Sequence, residues 1–150
     1  MNPEALTNPV LADLDFLVGD WDVALSGASF LPGPDHVVTG TVAFGPIEAG
    51  RFLVLRQGED QGPPAATWVI GRDGSAGDHT VLYADGRGVS RVYRMSFSDG
   101  TWRLWRDDPA FSQRFEARVA SDNRTIAGRW EKRFGDGEWE HDFTLTYTRR

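Results

Sequence analysis

The 150-residue chain contains no cysteine. That excludes disulfides, a thiol nucleophile and any cysteine-ligated zinc, and it suits a reducing compartment such as the cytoplasm. Long apolar runs are missing as well. Nothing approaches the roughly 20 apolar residues that cross a bilayer as a helix. No basic segment followed by an apolar stretch opens the chain as a secretory signal would. Basic residues are not in excess either. The formal net charge is −6, which argues against a general nucleic-acid binder, because phosphate binding needs a net basic face. There is no His-Glu-x-x-His or other paired histidine spacing, so no metal site is expected. There is no Gly-x-Ser-x-Gly and no phosphate loop. Gly86-x-Gly88 and Gly135-x-Gly137 lack the strand-to-helix context of a dinucleotide site. With no internal repeat, low-complexity tract or long linker, residues 1–150 read as one domain, with 1–7 as a loose arm.

What the chain does have is aromatic side chains and glycine: six Trp, nine Phe and 17 Gly. That mixture suits strands and tight turns better than a helical bundle. One helix is predicted, from Asn8 as cap and Pro9 as first helical residue to Val18. Val10, Leu11, Leu14, Leu17 and Val18 form its apolar stripe, and Gly19 stops it. About ten residues are too few to be stable alone, so the stripe must dock. From Trp21 the period becomes two. Strands are expected from Trp21 and over His36–Phe44, Arg51–Gln57, Ala66–Arg72, His79–Ala84 and Val89–Phe97. They continue over Thr101–Arg106, Gln113–Ala120, Thr125–Phe134 and Glu138–Thr148. Gly45-Pro46, Asp99-Gly100 and Asp136-Gly137 supply turns. About ten antiparallel strands with short turns favour closure into an up-and-down barrel, since an open sheet leaves two long edges exposed. The fold class is therefore all-β, with the helix across one barrel end and Trp21 at its floor.

Phe16-Leu17-Val18-Gly19-Asp20-Trp21 resembles the Gly-x-Trp opening of the calycin superfamily, which includes lipocalins, fatty-acid-binding proteins and nitrobindins. Tyr83-Ala84-Asp85-Gly86-Arg87-Gly88-Val89, Gly128-Arg129-Trp130-Glu131 and Asp142-Phe143-Thr144-Leu145-Thr146-Tyr147 resemble small bacterial lipocalin-like families. The resemblance covers nearly the whole chain and rests on fold motifs. It implies a barrel enclosing a cavity and no single activity. Nitrobindins carry haem on a late histidine, so the resemblance makes His141 the one candidate for a haem ligand; otherwise no cofactor is expected.

Strand parity nominates a site. One parity of every barrel strand faces inward, and the apolar parity normally wins. This selects Trp68, Tyr83, Arg91, Tyr93, Met95, Phe115 and His141 as the cavity wall. An inward Arg91 would want an anionic ligand or a buried carboxylate. His141 shares its parity with Trp139, Phe143, Leu145 and Tyr147. Glu138, Glu140 and Asp142 alternate with these on a solvated face, and His36 and His79 are expected to be exposed. The function that follows is binding of a small hydrophobic or amphipathic molecule by a monomer or homodimer. The rival reading is an enzyme, of cyclase or isomerase type, using His141, Tyr83 or Tyr93 as acid or base.

Overall fold

A computed structural model describes residues 9–58, 65–72 and 77–150. The expected arm over 1–7, the Asn8 cap and parts of two predicted loops, 59–64 and 73–76, lie outside the described residues. The elements are a 3-10 helix, Pro9–Leu17, followed by ten strands: β1 Gly19–Ser26, β2 Val37–Ile47, β3 Phe52–Gln57, β4 Ala66–Arg72, β5 His79–Asp85, β6 Ser90–Ser98, β7 Thr101–Arg106, β8 Phe111–Val119, β9 Thr125–Phe134 and β10 Glu140–Arg149. Each strand pairs with the next, and β10 returns to β1, so the sheet is a closed antiparallel barrel. The closing register sets Trp21 opposite Arg149 and Ser26 opposite Thr144.

The helix is 3-10 rather than α because its buried leucines recur every third residue. Leu11, Leu14 and Leu17 are all fully buried, and three residues per turn stacks them along one edge. A 3-10 helix of nine residues is longer than the isolated geometry favours; docking on the barrel sustains it. Gly19 does not merely end the helix. It is the first residue of β1, with φ of +131°, and a Cβ there would lie 2.7 Å from Arg149 Nη1. Only glycine allows both the turn into β1 and the approach of that guanidinium.

Arg149 fastens the cap. Its Nη1 donates to the Val18 carbonyl at 2.8 Å, Nη2 donates to the Phe16 carbonyl, and the guanidinium lies 4.2 Å from the centre of the Trp21 ring. Trp21 is fully buried, and its Nε1 donates to the Leu17 carbonyl at 2.8 Å. The helix end, the first strand and the last strand are thus joined at one tryptophan.

Several local expectations give way to the barrel. Gly45-Pro46 does not turn the chain: β2 continues to Ile47, and the turn falls at Glu48, Ala49 and Gly50, all with positive φ. Pro46 sits one residue from the strand end, where a missing N–H costs the ladder least. His79 is 2% exposed rather than exposed, because β5 begins beneath the helix, and its Nε2 lies 3.4 Å from Asp13 Oδ1. Asp99-Gly100 turns as expected, with positive φ at both residues as a two-residue hairpin of this type requires.

Below the middle of the barrel the interior is solid. Trp102, fully buried, sits among the rings of Phe44, Phe115 and Tyr147 at centroid distances of 6.3, 5.3 and 5.8 Å. The register explains how an indole fits there. Trp102 is opposite Ala117, and Ala117 is opposite Gly128. Two small residues leave room for one large neighbour. A Cβ at Gly128 would meet Ala117 Cβ at 2.5 Å and the Glu116 carbonyl at 2.7 Å.

Two stability outcomes follow. Trp21→Ala should cost about 3–5 kcal/mol, the range for a large aromatic lost from a core, read as a lower urea midpoint. Gly128→Ala should cost about 1–3 kcal/mol by overpacking, although alanine is the better residue for an ordinary strand; a midpoint equal to that of the parent protein would show that β8 and β9 are not so closely apposed.

Candidate functional site

The upper half of the barrel is hollow. A cavity of about 520 Å³ lies between the walls, and its lining includes Phe30, Gly58 and Arg87 from the β1–β2, β3–β4 and β5–β6 connections. In an up-and-down barrel these connections share one end, and the segment preceding β1 occupies the other. The cavity therefore opens opposite the helix. The wall is short of bulk where it is open: Val23, Val38 and Ala66 line it, and at Gly40 a Cβ would meet nothing within 4 Å. Aromatic rings form the opposite wall. Trp68 to Tyr83, Tyr83 to Tyr93 and Tyr93 to Trp130 follow one another at 6.5, 6.1 and 5.6 Å between centroids, mostly edge to face, the arrangement that the ring quadrupole favours.

Polar groups enter this wall at three places. Gln113 is 7% exposed and accepts with Oε1 from Tyr93 Oη at 2.5 Å and from Arg91 Nη1 at 3.2 Å. Because Arg91 can only donate, Oε1 faces the pair, and the Gln113 amino group is left for another partner. Arg91 also stacks over Phe111, 5.2 Å from the ring centre, and it has no ion pair among the described residues. Lys132 Nζ lies 3.6 Å from Asp142 Oδ1, with 22% and 14% of the two side chains exposed. Tyr83 Oη donates to Asp85 Oδ2 at 2.5 Å, and Arg87 Nη2 donates to the same oxygen at 2.7 Å.

Electrostatics follow from these contacts. The hydrogen bonds from Arg87, with smaller help from Tyr83, hold the Asp85 carboxyl well below the ordinary aspartate value of 3.8. Burial first, then the Asp85 carboxylate, raises the Tyr83 hydroxyl above 10.0. Burial raises Tyr93, and burial alone raises Tyr147. Tyrosines held protonated in this way are poor bases near neutral pH.

The seven residues chosen by parity divide into three groups. Trp68, Tyr83, Arg91 and Tyr93 line the cavity. Met95 and Phe115 point inward but lie in the solid floor, 0% and 2% exposed. The reason is barrel shear: along the hydrogen-bond register, Met95, Leu104, Phe115, Trp130 and Phe143 form one row. Strands tilt, so such a row climbs from floor to wall. Parity gives inward or outward; it does not give height.

His141 is the clear correction. It is exposed, with Nε2 3.5 Å from Thr144 Oγ1 and beside Gly27. The β9–β10 register shifts between His141 and Phe143. A bulge inserts one residue and reverses the parity before it, so Asp142, expected on the solvated face, lines the cavity instead. A haem held through His141 does not fit this geometry, and no histidine lines the cavity among the described residues. Of the three acid/base candidates, Tyr83 and Tyr93 meet in the cavity wall at 6.1 Å between ring centroids, and His141 lies outside it. Parity missed Gln113, Lys132, Trp130 and Tyr147. Each shares an inward parity that sequence could have offered, whereas Asp142 depends on a bulge that leaves no mark in the sequence.

No protein-family model matches this chain, and no curated protein sequence does. Among solved structures it is similar to Rv2717c of M. tuberculosis, with a TM-score of 0.63 and 15% identity over 95% of this chain and 98% of that one. At that identity the likeness is one of fold.

All three tyrosines of the chain, Tyr83, Tyr93 and Tyr147, hold their protons more tightly folded than unfolded. Their contribution to stability is full below the ordinary value of 10.0 and is lost as pH rises through the raised values. Phenolate absorbance should therefore be absent from the native protein at the ordinary tyrosine midpoint and should appear only together with loss of near-ultraviolet circular dichroism. A phenolate signal rising at that midpoint in folded protein would contradict the buried positions.

Proposed function

We propose that this chain is a calycin-type binding protein that holds one small, largely apolar molecule in the open half of its barrel. The observation that carries the reading is the cavity: about 520 Å³, walled by Trp68, Tyr83, Tyr93 and Trp130. That volume and that mixture of aromatic walls with a few converging polar groups are typical of small-molecule sites. The Gly19-x-Trp21 opening, the capped end and the closed ten-stranded topology support the calycin kinship.

Arg91 gives the ligand a polarity. A half-buried guanidinium that meets an amide oxygen and a ring, and no carboxylate among the described residues, retains donors for an incoming acceptor. The ligand is thus apolar in its body and carries an acidic or acceptor group at the level of Arg91 and Gln113.

The test is titration with the fluorescent probe anilinonaphthalene sulfonate, which joins apolar rings to an anion. Binding should be saturable. Gly40→Leu should weaken it by filling empty space, and Arg91→Ala should weaken it by about 1–3 kcal/mol, the usual loss when a charged hydrogen-bond partner is removed. Affinity unchanged in both variants would place the probe outside the barrel and end this reading.

A further inference from the structure

The inner end of the cavity carries a polar hydrogen for which no described residue supplies an acceptor. Tyr147 is 4% exposed and lines the cavity, and its hydroxyl meets no hydrogen-bond partner among the described residues. The Trp102 ring packs against the Tyr147 ring at 5.8 Å between centroids and is fully buried behind the lining. Buried polar groups are nearly always satisfied, by the protein or by something bound. A tyrosine hydroxyl on the cavity floor, without an acceptor among the described residues, points to an occupant that accepts its hydrogen bond.

The surroundings define what it is. Tyr147 and Val23 face each other across the closing strands, and Arg149, the next residue of that parity on β10, is engaged by the Val18 and Phe16 carbonyls beneath Trp21. The charged groups of the lining, Arg87, Arg91, Lys132 and Asp142, all lie mouthward of the ring layer formed by Tyr93, Trp130 and Phe143. A full anion at Tyr147 would sit among rings without a counter-charge, which is costly. A plain alkyl tail would leave the Tyr147 hydroxyl unpaired. A neutral oxygen suffers neither penalty.

We infer that the inner end of the cavity is a subsite for a neutral oxygen of the ligand, a hydroxyl or carbonyl, hydrogen-bonded by Tyr147. This rests on the cavity being a small-molecule site. The ligand class is then an amphipathic molecule with oxygen at both ends, the inner one neutral and the outer one meeting Arg91 and Gln113.

The experiment compares plain fatty acids of graded length with their ω-hydroxy counterparts, titrated calorimetrically into the wild-type protein and Tyr147→Phe. At the best-fitting length the ω-hydroxy acid should bind wild type roughly 3–10-fold tighter, as one ordinary hydrogen bond gives. In Tyr147→Phe that preference should vanish while the plain acid binds as before or better. Equal binding of the two acids by wild type, or a preference that survives in Tyr147→Phe, would overturn the subsite and leave the binding reading standing. Failure of every acid to bind either protein would overturn both.

Discussion

Closure of the barrel is the constraint on which the rest of this protein depends. Once β1 pairs with both β2 and β10, every strand has two neighbours and no backbone edge remains. Closure also fixes an interior that ten strands must share. Side chains either fill it or leave it open, and this sequence does both. Leucines from the helix, Trp21, Trp102 and Phe115 fill one half. Valines, Ala66 and Gly40 leave the other half hollow.

The solid half makes the hollow half possible. A cavity forfeits packing, so the barrel has to recover stability elsewhere. Here the cap supplies it. The helix buries three leucines, and Arg149 ties its last carbonyls to the closing strand across the face of Trp21. Trp102 then spans the middle of the barrel because Ala117 and Gly128 yield the volume it needs. The floor of the site is therefore a structural layer, and Tyr147 is where that layer meets the cavity.

The polar groups around the cavity donate more than they accept. Gln113 spends its oxygen on Tyr93 and Arg91, and Asp85 and Asp142 are each engaged by a cation. Among the described residues, this leaves hydrogens on Arg91, the Gln113 amino group and the Tyr147 hydroxyl. Such a wall favours a molecule rich in acceptors. The charged donor and the Gln113 amide lie toward the mouth, and the Tyr147 hydroxyl lies at the floor.

The sequence by itself determined the all-β class, the order of ten strands, the early helix and the inward faces of most strands. These features rest on local periodicity, on turn chemistry such as Asp99-Gly100 and on the apolar parity of each strand, all of which are written within a few residues. It also placed Trp21 in the core and brought Trp68, Tyr83, Arg91 and Tyr93 to one wall. Tertiary structure decided how high each inward residue stands. Met95 and Phe115 share the inward parity with Tyr93 yet lie in the floor, because strand tilt and shear arise only when the sheet closes. It decided that the leucines wind every third residue, since docking and not propensity sustains that helix. Finally, it exchanged His141 for Asp142. A bulge is a property of two strands in register, and one strand read alone carries no sign of the residue its partner will pass over.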